Sequence, residues 1–119
     1  MCFSGCSVPF SCTLGSGICF RHGLSGIFIS GKAVVGDNCF ILHQVTIGSN
    51  YGSTKRPFAA PVVGNGVFIG AGAKIIGGVA IGARARIGAN ALVVEDVPEG
   101  AVCFAPKSLI KVDAEGERT

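Results

Sequence analysis

Val63-Gly-Asn-Gly-Val-Phe68, Ile69-Gly-Ala-Gly-Ala-Lys74, Ile75-Ile-Gly-Gly-Val-Ala80, Ile81-Gly-Ala-Arg-Ala-Arg86 and Ile87-Gly-Ala-Asn-Ala-Leu92 are five consecutive hexads, each opening on Val or Ile. The second residue is usually Gly, and the fifth is usually small or β-branched. The same phrase runs upstream through Ile29-Ser-Gly-Lys-Ala-Val34, Val35-Gly-Asp-Asn-Cys-Phe40 and Ile41-Leu-His-Gln-Val-Thr46. Two apolar positions in six can point inward while the glycine and a polar pair make a corner. Three such faces close a triangular coil of about 18 residues, and stacked coils bury a continuous core. An ordinary strand would alternate with period two, and an amphipathic helix would repeat at three and four; neither fits here. The expected fold is all-β, a parallel β-helix of about five coils.

Composition agrees with this reading. The 119 residues include 19 glycines, with 49% apolar and 14% charged residues, which suits short strands joined by tight turns. The length allows at most one ordinary domain. The expected plan is a lead-in over 1–13, the β-helix over 14–98 and a C-terminal extension over 99–119, ending in a polar, mobile tail from Ala114. Residues 48–62 carry no hexad signal and are rich in turn formers, so they read as a loop thrown out of the helix. Lys55 and Arg56 within it are candidate substrate contacts.

Ten basic residues against seven acidic leave a net +3, too weak to argue for nucleic acid but suited to a small anionic ligand. No basic face with interleaved aromatics strengthens the nucleic-acid alternative. No long apolar run suggests a membrane span, and Met1 to Cys6 shows no charged leader, so no secretory signal is expected and the placement is cytoplasmic. The six cysteines read as small buried hydrophobes in a reducing compartment. No C-x-x-C pair is present, so no metal site is expected.

The two histidines are informatively placed. Traced backwards, the repeat gives Leu14-Gly-Ser-Gly-Ile-Cys19 and Phe20-Arg-His-Gly-Leu-Ser25, with three extra residues before Ile29. If one corner absorbs them, Phe20 lies three hexads before Ile41. His22 and His43 then share the third hexad position on one face, one coil apart, a coincidence expected by chance about once in 18. Histidine is the natural general base for a hydroxyl near neutral pH.

Periodicity alone leaves the hand of the coil open, and parallel crossovers are normally right-handed. The hexads resemble those of the hexapeptide-repeat acyltransferases over about residues 14–110, which implies a left-handed β-helix. The segment Gly17-Ile-Cys-Phe-Arg-His22-Gly-Leu-Ser-Gly26-Ile-Phe-Ile29 resembles the surroundings of the catalytic histidine in serine acetyltransferases. Ile41-Leu-His-Gln-Val-Thr-Ile-Gly48 and Gly66-Val-Phe-Ile-Gly-Ala-Gly-Ala-Lys-Ile-Ile-Gly77 are similar to the same family. The resemblance implies acetyl-CoA as co-substrate, His22 as the base, and Gly70, Ala71, Gly72, Gly88 and Ala89 lining the coenzyme groove. It also implies a homotrimer, which fits the shallow faces of a lone prism, since sites need concavity.

Three positions depart from that family. Arg21 stands where serine acetyltransferases carry an acidic residue that holds the amino acid, and it becomes a candidate substrate contact. Ser7 stands for the aspartate that orients the histidine, and Ala60 for a second histidine before Pro61. No counterpart of their N-terminal helical domain is expected ahead of the hexads. These departures turn the expected acceptor from serine to a sugar, as in the related acetyltransferases of bacterial polysaccharide assembly.

The expected reaction is direct transfer: His22, supported by His43, takes the proton of a sugar hydroxyl, which attacks the acetyl thioester. A backbone N–H would meet the oxyanion. No cysteine looks activated, so no acyl-enzyme is expected. Lys74, Arg84, Arg86 and Lys107 are candidates to meet the coenzyme's negative charges. Three rivals stand beside this reading: a serine O-acetyltransferase, a non-catalytic or truncated β-helix, and a zinc enzyme similar to gamma-class carbonic anhydrases, for which two histidines are one too few.

Overall fold

The first and fifth residues of each hexad turn inward. In the computed structural model, which describes residues 2–3, 6–9, 11–50 and 59–112, every buried Ile, Val, Ala and Cys takes one of these two places. Ile41, Ile69 and Ile87 fill first places, and Cys39, Val67 and Ala85 fill fifth places, all fully enclosed. Sixth-place side chains point out instead: Phe28, Phe40, Val62 and Leu92 are 48%, 41%, 51% and 64% exposed.

Among the described residues, fifteen short strands, numbered in chain order, make three sheets. The first sheet stacks β2 (Cys6–Ser7), β5 (Phe28–Ile29), β8 (Thr46–Gly48), β11 (Lys74–Ile76) and β14 (Leu92–Val93), with β1 (Cys2–Phe3) antiparallel on β2. The second stacks β4 (Cys19–Leu24), β7 (Phe40–Ile41), β10 (Phe68–Ile69), β13 (Arg86–Ile87) and β15 (Val102–Cys103). The third stacks β3 (Thr13–Leu14), β6 (Val34–Val35), β9 (Val62–Val63) and β12 (Ala80–Ile81). Within the helix all pairing is parallel and in hexad register, so Ile69 lies between Ile41 and Ile87.

The corners work differently from the sequence expectation. In six of the hexads the residue with positive φ is the fourth, whether glycine (Gly66, Gly72) or not (Asn38, Gln44, Arg84, Asn90), while the hexad over 75–80 uses its third residue, Gly77. The second-place glycine serves close approach: a Cβ on Gly70 would stand 2.6 Å from the Ala89 nitrogen in the next coil.

The ladders also run beyond residues 14–98 at both ends. β2 pairs in parallel with β5, Val97 bridges to Ile81, and β15 continues the second sheet to Cys103. The loop is narrower than 48–62, since Gly48 and Val62 belong to strands; Asn50 N–H donates to the Ala59 carbonyl at its neck. The three extra residues fall between first-place Phe20 and second-place Leu24 and include His22; Gly23 has positive φ there, and Ile27 N–H closes on the Leu24 carbonyl as in the regular hexads. Lys55 and Arg56 in the loop, and the tail from Ala114, lie outside the described residues.

Of the four cysteines whose side chains the structure describes, only Cys39 is fully buried; Cys12, Cys19 and Cys103 are half-buried, against the expectation of buried hydrophobes, and all four are free thiols. Burial pushes the Cys39 thiol above its usual 9.0, and its sulfur lies 3.2 Å from the Gly64 carbonyl. A raised folded value means that the stabilisation from keeping this thiol neutral is complete below 9.0 and is lost as the pH climbs further. Iodoacetamide at pH 7.5 is expected to leave Cys39 unmodified in the native protein and to alkylate it in urea, read by peptide mass mapping.

Candidate active site

The edge where the second sheet turns into the first carries the chemistry. Third-place residues of successive coils there are Ser25, His43, Ala71 and Ala89. Gln44 N–H donates to the Ser25 carbonyl (2.9 Å), so His22 does not share the third place of His43 as the sequence suggested but lies in the inserted segment between Phe20 and Leu24. Gly72 N–H donates to the His43 carbonyl (3.0 Å), and Asn90 N–H donates to the Ala71 carbonyl (2.9 Å), stitching these corners into a column. At the edge between the third and second sheets, side chains cap the same place: Asp37 Oδ1 accepts from Ser16 N–H (2.9 Å) and Asn65 Oδ1 from Asp37 N–H (2.8 Å). The histidine edge has alanine there instead, which leaves its backbone open.

The two imidazoles meet edge to face, with ring centroids 5.1 Å apart and planes at 87°. His22 is exposed on β4, the outermost strand of the second sheet, while His43 is half-buried. The Nδ1 of His43 is enclosed and makes no hydrogen bond. An enclosed polar atom without a partner is uncommon and marks a place where function has overridden packing. No group of three His, Cys, Asp or Glu able to hold a metal occurs among the described residues.

The other candidate residues divide. Gly70, Ala71, Gly72, Gly88 and Ala89 all lie on this edge, but Gly70, Gly72 and Gly88 donate their N–H groups to coil-to-coil bonds. Ala71 and Ala89 N–H stay outside that ladder, so the third-place alanines, not the glycines, have donors to offer a ligand. Lys74 Nζ reaches the Gly72 carbonyl (3.0 Å), and the Arg86 guanidinium lies 5.0 Å over the Phe68 ring. Arg84 is a correction: it sits at the opposite edge, between the third and second sheets, and is ion-paired with Glu99. Lys107 is exposed on the segment that leaves β15. Phe104, at the start of that segment, was missed in the sequence; its Cβ would stand 3.1 Å from a Cβ on Gly88. Its only signal was its place directly after the final, irregular coil.

Arg21 is exposed beside His22 on β4. Ser7 pairs with Phe28 across the first sheet, and Ala60 precedes the buried Pro61 where the loop returns. A shallow cavity of ≈ 250 Å³ opens on the outer face of this sheet, lined by Ser7, Phe28, Ser30, Thr46, Ser49 and Ile76 among others. Among the described residues its lining holds hydroxyls and apolar groups and no charged side chain.

Known proteins resemble this chain in sequence and fold. The bacterial transferase hexapeptide family (six repeats) matches residues 60–94. The serine acetyltransferase of Synechococcus elongatus is 42% identical over 96 residues, covering 80% of this chain and 38% of that protein. The colanic acid biosynthesis acetyltransferase WcaB of Escherichia coli K12 is 35% identical over 111 residues, 93% of this chain and 66% of its own. Among solved structures, the Neisseria gonorrhoeae serine acetyltransferase in complex with serine superposes with a TM-score of 0.69 at 40% identity, over 77% of this chain and 36% of that one. A serine acetyltransferase in complex with CoA gives 0.71 at 38% identity, over 80% of this chain and 37% of that one. This chain therefore spans from 36% to 66% of the length of these relatives. The coil is left-handed like theirs.

Proposed function

The chain belongs to the hexapeptide-repeat transferases, and from that premise we propose that it is an acetyl-CoA-dependent O-acetyltransferase acting on a small hydroxyl acceptor, with His22 as general base. One observation carries the reading: the paired imidazoles and the small-residue column share one edge of the prism. His22, exposed at the end of that column, takes the acceptor's proton. The oxygen attacks the thioester carbonyl, the carbon–sulfur bond breaks, and the imidazolium returns its proton to the departing thiolate. Ala71 and Ala89 N–H are the donors at hand for the thioester and the pantetheine amides. Lys74 and Arg86 flank the same edge, and Lys107 follows from β15; they supply positive charge for the phosphates.

The acceptor is the finer part of the proposal. The serine acetyltransferases among the relatives favour serine. Against it stand Arg21, Ser7 and Ala60, where that family has acidic or histidine side chains, and the uncharged cavity beside β5 and β8. A sugar hydroxyl fits those residues better, and the likeness to WcaB supports it. Half-exposed apolar side chains on all three sheets, Phe28 and Leu92 on the first, Phe40 on the second and Val62 on the third, support a homotrimer with sites between subunits, because exposed apolar surface favours association. A coenzyme confined to the cell interior fits a cytoplasmic placement.

Thiol release from acetyl-CoA, measured across methyl glycosides, nucleotide-sugars and amino acids, tests both levels. Turnover with a glycoside and little with serine is expected. Preference for serine would sink the sugar reading alone. No release with any acceptor, together with no thermal shift on adding CoA, would sink the enzyme reading.

A further inference from the structure

We propose that His22 and His43 together read a pair of neighbouring hydroxyls, so that the acceptor is a vicinal diol on a sugar ring, acetylated on one oxygen and held by the other. This rests on the acetyl-transfer reading and names its acceptor more closely. The rings stand 5.1 Å apart with their planes at 87°, a spacing that two ligand oxygens can bridge, one at each ring. Two oxygens on adjacent ring carbons are separated by about one hydrogen-bond length, roughly 2.8 Å. A hydrogen bond from each oxygen to a different imidazole spans the remaining gap. His43 Nδ1 is the enclosed nitrogen, which leaves Nε2 as the atom that meets a ligand. With no partner fixing Nδ1, no protein group dictates which nitrogen carries the proton, so Nε2 can donate to or accept from a hydroxyl.

The surroundings suit such a ligand and not an amino acid. Beyond Thr46, three residues after His43, the chain enters the uncharged cavity, where Phe28 offers an apolar surface to a sugar ring and Ser7 and Thr46 offer hydroxyls. The residue beside His22 is Arg21, the wrong sign for an ammonium group.

The test compares kcat/KM for the best methyl hexopyranoside with that for its analogues lacking one hydroxyl each, using the full chain. Removing the hydroxyl adjacent to the acetylated one is expected to cost the wild type about tenfold, the scale of one hydrogen bond. In His43→Phe the ratio of diol to deoxy acceptor should fall to near one, whatever happens to the absolute rates. In His43→Gln, whose amide reaches the Nε2 position, the preference should persist, which keeps the test valid even if the Phe variant folds poorly. A wild type indifferent to the neighbouring hydroxyl, or a His43→Phe enzyme that keeps the preference, overturns the proposal while acetyl transfer stands. Serine as the sole acceptor overturns it as well. Absence of turnover with every acceptor removes the acetyl-transfer reading beneath it.

Discussion

His22→Ala is expected to lower kcat for acetyl transfer by about 10²–10⁴, the range for losing a positioned general base. The coenzyme should bind as before. His22 is exposed on the outermost strand of the second sheet, so truncating it opens no cavity and removes no core contact. A hydroxyl is a poor nucleophile while it keeps its proton, and apart from His43 no other side chain on this edge is suited to take it: Ala71 and Ala89 have no basic group, and Lys74 and Arg86 are cationic residues. His43 is at ring contact and could stand in partly, which sets the lower end of the range. The measurement is thiol release at saturating acetyl-CoA, paired with calorimetric CoA binding. A His22→Ala enzyme with wild-type kcat would remove His22 from the mechanism. A loss of CoA affinity equal to the loss of rate would make it a binding residue instead of a base.

Much of this edge was legible in the sequence because a β-helix writes its contacts locally. Each coil packs on the next in one fixed register, so finding first-place Ile and Val finds the core: Ile29, Ile41, Ile69 and Ile87 need no distant partner to be recognised. The repeat brought His22 to the edge of His43 but misjudged its place: Ser25 holds the third position, and His22 reaches the His43 ring from the three-residue insertion that precedes Leu24. The last coil was obscured because Val93-Val-Glu-Asp stops two residues short, although Val97-Pro-Glu-Gly-Ala-Val102 is itself a hexad. Nor could the pattern tell which corner residue is strained. Asn38, Gln44, Arg84 and Asn90 adopt positive φ without being glycine, while the conspicuous second-place glycines answer to backbone crowding from the next coil. Ring orientation is further from reach, since register fixes where His43 sits but not which nitrogen its neighbours enclose. Arg84 shows the limit for charges: its hexad gave its place, but its pairing with Glu99 depends on the irregular coil that periodicity did not resolve.

Ile69→Ala in the central coil is expected to destabilise the fold by about 2–5 kcal/mol. The Ile69 side chain is wholly enclosed, and its strand pairs with β7 on one side and β13 on the other. A repeat fold has little means of closing the resulting hole. The backbone spacing between coils is set by ladder bonds such as Phe68 N–H to the Ala85 carbonyl (3.0 Å) and Phe40 N–H to the Val67 carbonyl (3.0 Å). Second-place glycines such as Gly70 already bring successive backbones so close that no Cβ fits between them. Neighbouring coils therefore cannot settle inward, and the cost should fall toward the upper end of the range. Because each coil leans only on its neighbours, a break at the centre separates the two halves of the stack. A total stability of roughly 5–15 kcal/mol leaves little to spare. The same truncation at Val97, 8% exposed and near the end of the stack, should cost less, because one side of that coil is already open to solvent. Urea midpoints at fixed protein concentration compare the two, with the concentration held because any association would add to both. Equal losses at Ile69 and Val97 would contradict a stack whose central coils hold it together.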